Sequence, residues 1–200
     1  MNLFLWGALP YIAFTFLIVG TLVRFFYFER NWTTKSSEFL EKKQLRIANP
    51  LFHFGLLCVI GGHVVGVLVP KTWTAAMGIN DHMYHEGALY MGAVAGIIFI
   101  VGFLLLMKRR FTVPAMKVNT SGFDKWLYLF LTLAIFSGMA GTLLNASGFF
   151  DYRVSIGPWF RSLLSFMPDP SLMEGVPFMF KFHMLAWMVV AIIFPFSRLV

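Results

Sequence analysis

Five apolar stretches, each long enough to cross a bilayer, constrain this sequence more than any other feature. They run approximately Phe4–Phe26, Leu51–Val69, Gly87–Met107, Leu127–Asn145 and Pro177–Phe196. At about 1.5 Å of rise per helical residue, each covers roughly 30 Å of hydrocarbon. Inside lipid every backbone N–H and C=O must be satisfied within the segment, so stretches of this kind fold as helices. The expected class is therefore all-α, an integral membrane bundle of five transmembrane helices forming one domain over residues 1–200. Pro70 closes the second span, and Pro177 stands where a first-turn proline is tolerated.

Charge is scarce and localised. Only 12% of residues are charged and 58% are hydrophobic, whereas a soluble domain is about a quarter charged. The net charge of +7 sits in short clusters between spans, which argues for topology and against a nucleic-acid partner. Arg30, Lys35, Lys42, Lys43 and Arg46 follow span one, with Arg24 at its edge, and Lys108, Arg109, Arg110, Lys117 and Lys125 follow span three. Lys71 alone follows span two, and Arg153 and Arg161 follow span four. Basic loops stay cytoplasmic, so the N-terminus is expected outside and the C-terminus inside. Lys181, in the first turns of span five, is near enough to the end to snorkel outward. The first segment lacks the basic start of a secretory signal and is read as a retained helix. The single Cys58 allows no intramolecular disulfide and is assigned to packing.

The long outer loop from Ser147 to Val176 contains PWFRSLLSFM (Pro158–Met167), whose apolar residues fall near helical spacing. A short interfacial helix is expected there, acting as a cap over the bundle.

Three of the five histidines, His53, His63 and His183, lie within spans. Polar side chains at that depth are costly and mark functional sites. His63 is seven residues before Pro70 and His183 six after Pro177, which puts both roughly 10 Å below the outer surface. Two imidazoles in one layer on antiparallel helices suit the two axial positions of a haem iron. His53, ten residues before His63, lies roughly 15 Å nearer the cytoplasm and about 80° around the helix. A second haem would stack beneath the first. Gly55, Gly61, Gly62 and Gly66 strip side chains from span two, which suits either a neighbouring backbone or a flat porphyrin. A haem held by two histidines keeps no open position, so it carries electrons and does not activate oxygen.

The runs NPLFHFGLLCVIGGHVVGVLVP, LLLMKRRF and FKFHMLAWMVVAIIFPFSRLV resemble the gamma subunit of respiratory nitrate reductase, as does PYIAFTFLIVGTLVRF near the N-terminus. The likeness covers essentially the whole chain, and the LFHxGxxxxxxGHxxGxLxP pattern is its most specific part. The resemblance implies a dihaem cytochrome b of the cell membrane, serving anaerobic respiration. It would oxidise menaquinol or ubiquinol near the outer face and pass electrons to a cytoplasmic iron–sulfur subunit, and through it to a molybdenum catalytic subunit that reduces nitrate. Carried over, His63 and His183 ligate the outer haem b and His53 the inner one. The family's fourth ligand directly follows FPFSRL-V/I, at what would be position 201, 18 residues after His183 and on the same helical face. The sequence given stops at Val200, so the inner haem's second ligand is expected beyond it.

In the segment INDHMYHEG, read as a loop leading into span three, Tyr84 and His85 are candidate quinol-site residues, with Gly62 beside them and His82 a weaker one. A positioned imidazole or phenol hydrogen-bonds a quinol oxygen and takes its proton. The cluster Lys108, Arg109 and Arg110 reads as a topology determinant touching anionic headgroups, or more sharply, through Arg110, as a bidentate partner for an inner-haem propionate. Two alternatives stand beside this reading, the first from another class and the second keeping the cytochrome while changing its partner. One is a small transporter with a histidine proton relay or metal site, against which stand the lack of an intramembrane acid and of an inverted repeat. The other is a cytochrome b anchor of a hydrogenase or formate dehydrogenase, which histidine spacing alone does not separate.

Overall fold

A computed structural model describes residues 1–27, 41–118 and 120–197. Arg30 and Lys35 of the first basic loop, and the terminal Val200, lie outside the described residues. Five helices are long and apolar enough to cross a membrane: α1 (Phe4–Tyr27), α2 (Lys43–Leu68), α4 (Asp81–Thr112), α6 (Gly122–Leu144) and α8 (Phe178–Phe196). Three short helices join them: α3 (Lys71–Ala76), α5 (Pro114–Val118) and α7 (Ile156–Leu164). No strand occurs among the described residues. The chain is a multi-pass membrane protein.

The helices outrun the apolar stretches that mark them. α2 begins at Lys43 rather than Leu51 and carries Pro50 within it. α4 starts at Asp81 and ends at Thr112, so its 32 residues extend about 48 Å, well past the hydrocarbon. Hydropathy reports where lipid is, whereas helix ends are set by caps. The Asn80 side chain accepts from the Met83 N–H at 2.9 Å. At α6, Ser121 and Asp124 form a reciprocal capping box. The segment read as a loop through His82, Tyr84 and His85 is therefore the first turns of α4. At the other margins Pro70 and Pro177 are extended and stop or start their helices as expected. The last turn of α2 widens to π geometry over Val64–Leu68, directly after His63, a departure frequent at functional sites.

Antiparallel pairs α2/α4 and α6/α8 make the closest helix packing, α4 joins α6, and α1 lies on α8. Small residues set these approaches. A Cβ on Gly55 would come 2.5 Å from the Phe99 backbone nitrogen, and one on Gly102 within 2.6 Å of the Phe52 Cα. Phe52, Phe99 and Phe103 then pack beside these crossings with Leu127, Leu131 and Val190. Gly20 of α1 lies against Pro195, and Arg24 donates to the carbonyls of Pro195 (2.6 Å) and Ser197. Elsewhere the helices turn apolar side chains outward: Leu57 is 68% and Met91 75% exposed, as lipid-facing residues must be. Cys58 is also exposed, and so is not a packing residue.

α7 begins two residues before the expected segment and caps the non-basic end of the bundle. Its Trp159 and Leu163 are buried with Trp6 and Met173. Trp159 Nε1 donates to the Trp6 carbonyl (2.8 Å), Tyr11 Oη to that of Leu163 (2.9 Å), and Arg161 to that of Val67 (2.8 Å). Lys181 reaches the Glu174 carbonyl at 3.1 Å, toward the same end.

The α2/α4 crossing yields a test. Gly102→Ala should destabilise the detergent-solubilised protein by about 1–3 kcal/mol, as overpacking does. Gly92→Ala on the same helix, where a Cβ meets nothing within 4 Å, should be neutral or stabilising by up to about 1 kcal/mol. Thermal melts of the two variants side by side decide it.

Candidate functional site

The α2/α4 and α6/α8 pairs bring α2 and α8 to face one another with little direct packing between them. His63 and His183 stand across that seam with ring centres 6.0 Å apart and planes inclined by 28°. Each Nδ1 lies on a backbone carbonyl: His63 on Val59 at 2.7 Å, His183 on Ala134 at 2.8 Å. A carbonyl only accepts, so Nδ1 carries the proton and Nε2 keeps its lone pair. This is the second-shell bond that orients a metal-binding histidine. Two imidazoles bonded to one metal at about 2 Å each have ring centres about 6 Å apart. The pair therefore fits a haem iron in spacing, tautomer and donor type. A Cβ added at Gly61 or Gly62 meets nothing within 4 Å, whereas Gly55 is filled by the Phe99 backbone and Gly66 by Tyr152. Of the four glycines, Gly55 is thus the one against a neighbouring backbone, and Gly61 and Gly62 border open space.

His53 repeats the pattern two to three turns nearer the basic end. It is exposed, and its Nδ1 donates to the Asn49 carbonyl at 2.9 Å. At that end Arg109 is buried and paired with Glu41 (Nε–Oε2 2.9 Å), rather than turned toward lipid headgroups. Arg110 lies 3.5 Å from the fully buried Asp124, with its guanidinium 5.8 Å from the Tyr128 ring centre.

At the opposite end a cavity of about 260 Å³ gathers Tyr84 and His85 with Lys71, Asp151, Tyr152 and Arg153. Its wall touches α2 at Gly66, where a Cβ would meet Tyr152 at 3.0 Å and the Tyr84 hydroxyl at 3.4 Å. Gly66 is about one helical turn beyond His63, so this wall meets α2 near that histidine. His85 Nε2 donates to the Ala146 carbonyl at 3.1 Å, beside Gly148, whose φ of +72° favours glycine. Gly62 does not line the cavity, and His82 pairs with Glu86 at 3.6 Å instead.

Charge counting did not find the cluster that builds this cavity. Lys71 bridges Asp81 (2.8 Å) and Asp151 (3.0 Å). Arg153 bridges the same two carboxylates, at 3.0 and 3.2 Å, with its Cζ 3.8 Å above the Tyr84 ring. Burial alone would push the Asp151 carboxyl up, but the hydrogen bonds from Lys71 and Arg153 outweigh it and hold it below the usual range. Hydrogen bonds to Asp81 and then Asp151 raise the Lys71 ammonium. Burial, and then a hydrogen bond with Tyr84, push the Tyr152 phenol up. Lys71 and Asp151 are 80 positions apart and Arg153 and Asp81 are 72 apart, so sequence spacing carries no sign of the pairing.

Fold and site together define a polytopic membrane protein that presents two imidazoles to one another inside the bilayer. The profile of the nitrate reductase gamma subunit family matches residues 2–200, and the chain belongs to that family. It is a subunit of an oxidoreductase complex, working with the other nitrate reductase subunits. It is 47% identical to the nitrate reductase gamma chain of Bacillus subtilis (strain 168), over 98% of this chain and 88% of that one. It is 38% identical to the nitrate reductase-like protein NarX of Mycobacterium tuberculosis (H37Rv), over 98% of this chain and 30% of the relative. The respiratory nitrate reductase 1 gamma chain of Escherichia coli (K12) is 29% identical, over the full chain and 89% of the relative.

The charge cluster should act as a pH-limited clasp. Asp151 has a lowered pKa, so its contribution is present above the ordinary carboxylate range and is lost as pH falls through the folded value, below about pH 4. Lys71 has a raised pKa, so its contribution is full below about pH 10 and is lost as pH rises through the folded value. Asp151→Asn should cost about 1–3 kcal/mol at neutral pH and flatten the acid limb of a stability–pH curve. An unchanged acid limb would count against the clasp.

Proposed function

We propose that this chain is the haem b-carrying, quinol-oxidising membrane subunit of a respiratory nitrate reductase in the cell membrane, with its N-terminus outside and its basic end cytoplasmic. The observation that carries this reading is the His63–His183 pair, at 6.0 Å between ring centres with both Nδ1 protons committed to carbonyls. Bound between two imidazoles, haem b supplies one-electron transfer without an open coordination position. His63 and His183 hold the outer haem. His53 holds the inner one. To Arg110, which lies beside Asp124, we assign the pairing with an inner-haem propionate at the cytoplasmic end.

Quinol oxidation releases two protons and two electrons per molecule. Tyr84 and His85 line the outer cavity one turn from His63, where a phenol and an imidazole hydrogen-bond a quinol oxygen and take its proton. Gly62, immediately before His63 and with open space where a side chain would stand, is the third residue we assign to the path of the quinol ring. The chain delivers its electrons at the basic end to a cytoplasmic iron–sulfur subunit, and through that partner to a molybdenum catalytic subunit. Proton release on one side and electron delivery on the other separate charge across the membrane. The transporter alternative is disfavoured. Among the described residues no three His, Cys, Asp or Glu side chains converge, whereas a structural metal site needs about four ligands. The family match likewise sets aside the hydrogenase and formate dehydrogenase anchors.

Haem counted per chain, with reduced-minus-oxidised spectra of the purified complex, tests the assignment. His63→Ala and His183→Ala should each remove the same one of two low-spin b haems. His53→Ala should remove the other. Full haem content in all three variants would refute it.

A further inference from the structure

The two facing histidines are held by different means. His63 is supported by its own helix, donating to a carbonyl four residues earlier. His183 leaves its own helix, and Nδ1 donates to the Ala134 carbonyl of α6, a helix without a histidine. The buried Ser137 hydroxyl donates to the same carbonyl at 3.1 Å, and its oxygen lies 3.4 Å from His183 Nδ1. The next residue is Gly138. A Cβ there would stand 2.7 Å from His183 Cε1 and 3.0 Å from Nδ1, inside the roughly 3.5–4 Å of an ordinary carbon contact. Glycine in a helix interior costs about 1 kcal/mol relative to alanine, so its use here points to a local need. Trp187 closes another side, edge-on with ring centres 6.4 Å apart.

We propose that α6 positions His183. The Ala134 carbonyl, the Ser137 hydroxyl and the bare backbone at Gly138 form a slot that fixes the ring's rotation and aims Nε2 at His63. The proposal rests on the reading of His183 as a haem ligand and deepens it. Gly138 is a positioning residue: it touches the ligand ring and leaves the metal to it. An unliganded imidazole could swing away from an added methyl group at little cost. A ring that must point at a partner 6.0 Å away has no such freedom, so the substitution acts on ligation more than on folding.

The test uses the intact complex carrying Gly138→Ala, with Gly141→Ala as the matched control. Gly141 lies one turn further along α6, and its Cβ would meet Met179 and Phe180 at an ordinary 3.9 Å. Gly138→Ala should shift the low-spin EPR signal and midpoint potential of the outer haem alone, or weaken its retention by the 10–100-fold usual for lost second-shell support. Gly141→Ala should match the parent. In a His183→Ala background Gly138→Ala should change nothing further, because the ring it displaces is gone. Gly138→Ala indistinguishable from Gly141→Ala overturns the proposal, and so does equal loss of both haems, which marks a general packing defect. If His183→Ala itself retains both haems, the ligand reading fails. If it loses one while Gly138→Ala is silent, only the positioning role fails.

Discussion

In hydrocarbon an apolar side chain gains nothing by leaving lipid for another helix, so the arrangement of the bundle depends on where two backbones can come into contact. α2 and α4 meet twice, at Gly55 against Phe99 and at Gly102 against Phe52. These crossings hold the two helices in one register and fix the heights of His53 and His63 above the basic end. On the other side of the bundle Gly138 lets the His183 ring lie against α6. The facing of α2 and α8 across a seam follows from these contacts, since the two helices pack little on each other. The 6.0 Å between the imidazoles is thus a product of glycines on three other turns of helix.

Each end of the bundle manages its charge by pairing. Lys71 and Arg153 alternate with Asp81 and Asp151 at one end, and Glu41 and Asp124 meet Arg109 and Arg110 at the other. Arg109, Arg153 and Asp124 are buried and would be costly without an opposite charge, so each pair helps fix the position of the segments it joins. The first cluster ties α3, the start of α4 and the segment after α6 into one wall, and Tyr84, His85 and Tyr152 take their places from that wall. The second anchors the start of α2 to the end of α4. Arg24 does the same for α1, holding the turn at Pro195 and Ser197.

Much of this was legible in the sequence because lipid imposes one-dimensional rules. A run of about 20 apolar residues must be a helix, and a histidine's depth follows from counting 1.5 Å per residue from the nearest proline. Hence five spans, and His63 and His183 in one layer. Helix ends were not legible, since the turns at Lys43–Asn49 and Asp81–Glu86 lie outside the apolar runs and are held by local bonds that hydropathy ignores, Gln44 N–H to Glu41 Oε1 in the first and Met83 N–H to Asn80 Oδ1 in the second. Cys58 shows the matching failure across the helix: depth says nothing about which face is turned to lipid.

The sequence by itself determined the fold class, the number of spans and the heights of the histidines, because each depends on local chain geometry in a solvent that forbids unsatisfied backbone. Only the tertiary structure decided which helices are neighbours, that Arg109 is buried on Glu41, that four charges from three connecting segments surround one cavity, and that Gly138 of α6 bounds the ring of His183. These depend on rotation about helix axes and on pairs of residues as far apart as 173 positions. Contacts of that range are settled by three-dimensional packing and electrostatic pairing, and no one-dimensional period encodes them.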